Sequence, residues 1–125
     1  MPHIILEYSS SLPELPDIRA LFDGIHQGFN RIGGISLDNC KSRARVAEPF
    51  YIGDGDPDNA FIHLGIEFVR GRSDEVRQAL GRECLDSLGR YYHLHLSDRL
   101  QITVQIEDIA LDFYFKDPAG TLNYQ

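Results

Sequence analysis

The chain contains no apolar run long enough to span a bilayer, which sets aside a helical membrane protein. It is also poor in cationic side chains, with 12 lysines and arginines against 19 aspartates and glutamates, a net charge of −7 at pH 7. So acidic a chain lacks the basic face that nucleic acid or an anionic membrane demands of a partner, so neither is expected. Any anionic ligand has to be met by a local cluster of arginines. Only two cysteines occur, Cys40 and Cys84, in a sequence without a secretory leader, so a reduced, cytoplasmic protein is expected. What is present suffices for one domain over residues 1–125: 42% of the residues are hydrophobic, enough for one core and, at 125 residues, too few for two.

Periodicity divides this unit into elements. Residues 2–8 alternate as a strand, with Ile4, Leu6 and Tyr8 on one face and His3, Ile5 and Glu7 on the other, and Ser9, Ser10, Ser11 and Pro13 end it. From Asp17 onward, Ile18, Leu21, Phe22, Ile25, Phe29 and Ile32 recur at steps of three and four. That is the stripe of an amphipathic helix, stopped by Gly33 and Gly34. Cys40 to Ala47 reads as a strand carrying Arg43 and Arg45 on one side. Two glycines, two prolines and three aspartates between Pro49 and Asn59 predict a loop. Ala60 to Val69 is again strand-like. Ser73 is a sound N-cap, followed by Asp74 and Glu75 and by a helical stripe of Val76, Leu80, Cys84, Leu88 and Tyr91 or Tyr92. Leu100 to Ile109 alternates as the last long strand, and Leu111 to Phe115 is expected to add a short edge strand.

Residues 2–48 and 60–109 thus repeat one order, strand, helix, strand. Each is a βαβ unit whose two strands should run parallel. The predicted class is α+β: one four-stranded mixed sheet with both helices on one face. The opposite face is expected to be bare and apolar, which would call for an oligomer.

The opening PHIILEYS, the strand SRARV, the strand AFIHLGIEF followed by GRS, and the helix EVRQALGRECLDSL stand in register over nearly the whole chain. Together they resemble the 5-carboxymethyl-2-hydroxymuconate isomerase family of the tautomerase superfamily. The resemblance implies a homotrimer with active sites between subunits and an N-terminal proline as the catalytic base. It also implies ketonisation of a dienol di- or tricarboxylate in homoprotocatechuate breakdown, with no metal or organic cofactor. Arg43 and Arg72 match the family's functional arginines. The loop after Arg45 departs from the family: it is shorter and carries Phe50 and Tyr51 in place of a tryptophan-containing stretch.

That chemistry can be set against the residues themselves. Moving a proton along a keto-enol system needs a group that accepts at one atom and returns at another, and a base near neutrality does so best. Removal of Met1 would expose the secondary amine of Pro2, whose ordinary α-amino pKa of about 7.7–8.0 falls further with burial or a nearby cation. With Met1 attached, the Pro2 nitrogen is an amide and no base. Proline at the first position of a strand also has a purely structural explanation, since the missing N–H costs little there. Planar guanidinium groups suit a small anionic substrate, so Arg43 and Arg72 are read as clamps for carboxylate and enolate, with Arg45 and Arg70 next in line. Phe50, Tyr51 and Phe115 are the aromatic side chains that a loop and the tail would bring over a pocket.

Two other classes stay open: a non-catalytic trimeric binding or scaffold protein of the same fold, and a related decarboxylase or dehalogenase using the same amine. Elsewhere the patterns are bland. DGDPDNAFIHLG opens like a calcium loop but has Asn59 and Gly65 where glycine and glutamate are needed, so it reads as a turn. His93 and His95 read as surface or helix-end residues, His3 and His63 as hydrogen-bonded strand histidines, and the cysteines as packing residues.

Overall fold

The computed structural model describes residues 1–13, 17–95 and 97–117, and the elements follow the predicted order. Strand β1 (His3–Ser9) leads through helix α1 (Ile18–Gly33) to strand β2 (Lys41–Ala47), and strand β3 (Ala60–Val69) leads through helix α2 (Asp74–Tyr91) to strand β4 (Leu100–Ile109). The sheet order is β2-β1-β3-β4. Pairs β1–β2 and β3–β4 are parallel, while β1 and β3 run antiparallel, so the sheet is mixed. No helix among the described residues is long and apolar enough to cross a membrane.

Local chemistry sets the helix ends. Asp17 accepts a hydrogen bond from the Ala20 amide at the start of α1, and Ser73 accepts one from the Val76 amide at the start of α2. Gly34 closes α1 at φ 63°, a left-handed conformation that costs glycine nothing, and its N–H donates to the Asn30 carbonyl. The two stripes then reach one core. Leu21, Ile25 and Phe29 of α1 and Leu80, Cys84 and Leu88 of α2 join Ile4 and Leu6 of β1 and Ile62, Leu64 and Ile66 of β3 in a single buried cluster. Both helices therefore cover the same face. Each fully buried aliphatic side chain there contributes about 1.5–3 kcal/mol relative to exposure. Cys84 is inert packing within it, its thiol pushed up to about 12 by burial and then by Glu83.

Ser9 is buried at the end of β1 and carries a short polar chain. The Phe61 amide donates to Ser9 Oγ, Ser9 Oγ lies 2.8 Å from Ser11 Oγ, and Ser11 Oγ donates to the Asn59 carbonyl. The side chain satisfies the Phe61 amide, next to where the β1–β3 ladder stops at Tyr8 and Ile62.

Three sequence readings need correction. The face opposite the helices is polar, not apolar. Its rows are Lys41, Arg43 and Arg45 on β2, His3, Ile5 and Glu7 on β1, Phe61, His63, Gly65 and Glu67 on β3, and Gln101, Thr103, Gln105 and Glu107 on β4. Alternation sends Ile4 and Leu6, Ile62, Leu64 and Ile66, and Ile102, Val104 and Ile106 to the helix side, leaving Ile5, Phe61 and, at the end of the β3–β4 ladder, Val69 and Ile109 as the large apolar members of the open-face rows. Leu111–Phe113 is a 3₁₀ turn, not an edge strand, and the β3–β4 ladder ends at Val69 and Ile109. Cys40 precedes β2 and caps the short turn Leu37–Asn39. The tail beyond residue 117 lies outside the described residues.

Candidate active site at the N-terminal end of the sheet

Pro2 immediately precedes β1 and is fully buried. Its carbonyl accepts the Lys41 amide at 3.1 Å, so β2 starts beside it. Met1 is also buried, with 5% of its surface exposed, and its amine donates to the Asn39 carbonyl at 3.0 Å. Burial pushes that amine from 8.0 down to about 6, helped by the positive charges of Lys41 and Lys116. In the chain that carries Met1, the basic nitrogen at this end of the sheet is thus the Met1 amine, and Pro2 is acylated.

The antiparallel register brings the far end of β3 to the same place. His3 pairs with Glu67, and the backbone amide of Arg70 donates to the Ile109 carbonyl just beyond. Arg72 follows. Its Nη2 donates to the Gly33 carbonyl at the end of α1 at 3.2 Å, and its guanidinium carbon sits 6.0 Å from the centre of the Phe68 ring. A cation at a helix C-terminus on an aromatic face is well placed by dipole and ring alike. Partial burial lowers its pKa, but arginine stays charged.

Arg43 approaches from the opposite face of the sheet. Its Nη1 lies 3.1 Å from His3 Nδ1, and the other ring nitrogen of His3 lies 3.1 Å from Tyr114 Oη. Burial lowers the His3 pKa, and Arg43, the N-terminal amine and Lys41 lower it further against the opposing charge of Glu67. The segments that meet near the start of β1 thus carry Lys41, Arg43, Arg70 and Arg72, with Arg43 against His3 on the open face and Arg72 against the end of α1. Lys41 and Lys116 are the charges that disfavour the protonated amine there.

The remaining sequence candidates are elsewhere within one chain. Arg45 stands opposite Glu7, exposed, toward the other end of β1. Phe50 and Tyr51 follow β2 at that far end, about 20 Å from Pro2 along a seven-residue strand. There they line a hollow of about 320 Å³ with Glu48, Ile52 and Gly55. Tyr51 lies against Gly55, at φ 84°, where any Cβ would strike its ring at 2.6 Å. Phe115, 87% exposed, is in the tail next to Tyr114. A single chain sets Pro2, Arg43 and Arg72 on segments around the start of β1, Arg43 on the open face and Arg72 against the end of α1, and Arg45, Phe50 and Tyr51 toward the other end.

Other clusters have structural employment. Asp54 and Asp56 accept the amides of Asp56 and Asp58, and Asp56 pairs with Arg99 at 2.8 Å, so the acidic string is a turn. His93 Nδ1 donates to the Arg90 carbonyl at the end of α2, and His63 lies 2.7 Å from Thr103 Oγ1. His26 Nε2 and Ser42 Oγ are 2.7 Å apart across a groove of about 410 Å³ between α1 and β2. Sequence reasoning missed His3 as the partner of Arg43, as well as Asn39 and Tyr114. Alternation alone puts His3 and Arg43 on one face only once the β1–β2 register is known.

Comparison with known proteins agrees with this architecture. A family model described as 5-carboxymethyl-2-hydroxymuconate isomerase matches residues 2–119. The chain is 27% identical over 125 residues to the 5-carboxymethyl-2-hydroxymuconate Delta-isomerase of Escherichia coli, covering 100% of this chain and 93% of that protein. A solved 5-carboxymethyl-2-hydroxymuconate isomerase from Deinococcus radiodurans R1 superposes with a TM-score of 0.84 at 26% identity, over 93% of this chain and 88% of that one. A fused 4-OT symmetric trimer shares the fold, with a TM-score of 0.68 at 14% identity over 98% and 94% of the two chains.

Proposed function

Because the chain belongs to the 5-carboxymethyl-2-hydroxymuconate isomerase family and is an isomerase of that kind, we propose that it ketonises an unsaturated hydroxy di- or tricarboxylate of the 5-carboxymethyl-2-hydroxymuconate type. Pro2, freed by loss of Met1, takes the proton from the dienol hydroxyl system and returns it to carbon at the other end of the conjugated path. Arg43 and Arg72 bind a carboxylate and the developing enolate oxygen, and Arg70 adds charge at the rim. The observation that carries the reading is electrostatic: at this end of the sheet, burial and lysine charge already hold an α-amine down at about 6. A proline amine one residue further in meets the same surroundings. Burial and Lys41 favour the neutral form of such an amine, and its ring and strand hold the lone pair in one direction. The proton carrier is an amine, so the cycle needs no cofactor.

The working unit in this proposal is a cytoplasmic homotrimer with sites at subunit interfaces. Two features favour it. Among the described residues both outer strands, β2 and β4, are open edges, and a groove of about 610 Å³ runs between α2 and β4, floored by Ile102, Val104 and Ile106. Joining the β2 edge of one copy to the β4 edge of the next is a heterologous contact that closes as a ring. Such a ring also offers the means to bring Arg45, Phe50 and Tyr51 of a neighbour to a pocket that one chain leaves open. The breakdown of homoprotocatechuate is the proposed setting.

The test is kinetic. Ketonisation of 2-hydroxymuconate-type dienols is measured for the mature chain, for Pro2→Ala and for chain with Met1 retained. Full activity in either altered form removes Pro2 as the base. One observation favours a second reading, a non-catalytic trimeric binding protein: Met1 is buried and its amine is hydrogen-bonded, as a retained residue would be. The intact mass of the chain from its native cell separates the two.

A further inference from the structure

His3 is the histidine that has both ring nitrogens engaged among the described residues, and its partners belong to different elements. Arg43 comes from β2 and Tyr114 from the segment that follows the turn Leu111–Phe113. A guanidinium group only donates, so the 3.1 Å contact obliges His3 Nδ1 to accept. The ring proton is then on Nε2 and is donated to Tyr114 Oη, 3.1 Å away. Tyr114 meets the imidazole edge-on, at 62° with centroids 6.1 Å apart, which fixes the ring plane. Arg43 is otherwise exposed, on a long flexible stem.

The geometry points to His3 as the positioning residue for Arg43: locked as the neutral Nε2–H tautomer, it holds the guanidinium at the N-terminal end of the sheet and ties it to the C-terminal segment through Tyr114. This deepens the proposed function and rests on it, because the benefit is a pre-formed carboxylate clamp beside Pro2. His3 touches no reacting atom. Protonation of Nδ1 would turn an N–H toward the Arg43 N–H and expel it. The groups facing the ring all bear on that titration: Lys41 and Arg43 from β2 and the N-terminal amine oppose the proton, Glu67 from β3 favours it, and Tyr114 from the tail accepts from the opposite nitrogen. The clamp is accordingly intact at neutral pH and lost on acidification through the His3 pKa, which lies below 6.5.

Two substitutions separate positioning from mere packing. His3→Phe keeps the ring volume and removes both nitrogens; His3→Asn keeps an acceptor close to the Nδ1 position. His3→Phe should raise KM for a dienol dicarboxylate at least tenfold and change kcat less than threefold, and His3→Asn should return KM to within threefold of the unaltered protein. Equal KM in all three forms overturns the assignment. A second measurement needs no turnover: ¹⁵N NMR of the folded protein should show the Nε2–H tautomer of His3 at pH 7 and a higher His3 pKa in Arg43→Met. An Nδ1–H tautomer, or an unmoved pKa in Arg43→Met, overturns it as well. If the unaltered protein ketonises no dienol, the proposed reaction fails while the NMR result still decides whether His3 holds Arg43.

Discussion

Replacing Arg72 separates what a guanidinium does for the fold from what it does for chemistry. In the structure one N–H bonds the Gly33 carbonyl at the end of α1, and the flat face lies near Phe68, leaving the other N–H groups unassigned. Arg72→Met keeps the stem and removes the charge. The lost bond from a charged donor is worth about 1.5–3 kcal/mol and the ring contact about 0.5–1 kcal/mol. Partial exposure screens both, so a net loss of about 2 kcal/mol is expected. With an unfolding entropy of about 2.1 cal/mol/K per residue, that lowers the melting temperature of a 125-residue chain by about 8 °C. The effect on rate is larger. Loss of one donor to a developing oxyanion costs about 10²–10³ in kcat. Arg72→Lys should recover most of the stability and remain at least tenfold slow, because an ammonium cannot offer a planar fork to an oxyanion and a carbonyl at once. Calorimetry and dienol kinetics on the same samples make the comparison. A fallen melting temperature with kcat/KM within threefold of the original makes Arg72 purely structural; an unmoved melting temperature removes the Gly33 anchor.

Further outcomes follow from the same structure. Ser9→Ala strands the Phe61 amide and should cost about 1–3 kcal/mol in denaturant unfolding, with faster hydrogen exchange at Phe61; a loss under 0.3 kcal/mol would void the Ser9–Ser11 chain. Leu64→Ala, emptied between both helices, should cost about 2–5 kcal/mol by the same unfolding assay. In Met1-retained protein the amine titrates at about 6 when folded and at 8.0 in its ordinary state, so between these values the unfolded chain binds more protons. Stability should therefore rise with pH from 6 to 8 and level off above it, and His3 and His26, also held below 6.5, push the same way at lower pH. A melting temperature that falls over that range contradicts the burial of this amine. Light scattering should give three chain masses, and a monomer would leave Arg45, Phe50 and Tyr51 without a route to Pro2.

Much of the scaffold was legible in the residues. The bounds of β3 and β4 follow from uninterrupted alternation, and the helix ends at Ser73 and Gly34 from the residue types there. The polar open face is written in the alternation of Gln101, Thr103, Gln105 and Glu107 against Ile102, Val104 and Ile106, and the expectation of an apolar bare face runs against that pattern. Leu111 to Phe115 has strand-like composition, yet the ladder has no neighbour to offer after Ile109, so the chain turns instead. At the candidate site, Pro2, Arg43 and Arg72 were nameable from motifs. Where each lies in the fold depends on the β1–β2 and β1–β3 registers, and the tie from His3 to Tyr114 spans 111 positions that no local pattern encodes.

The most direct test is a ¹⁵N NMR titration of the Pro2 nitrogen in chain from which Met1 has been removed. An apparent pKa below the usual α-amino range, rising when Arg43 or Arg72 is replaced by methionine, is the predicted result. A nitrogen still cationic well above neutrality, or one that ignores both arginines, would contradict the proton carrier on which the proposed isomerisation depends.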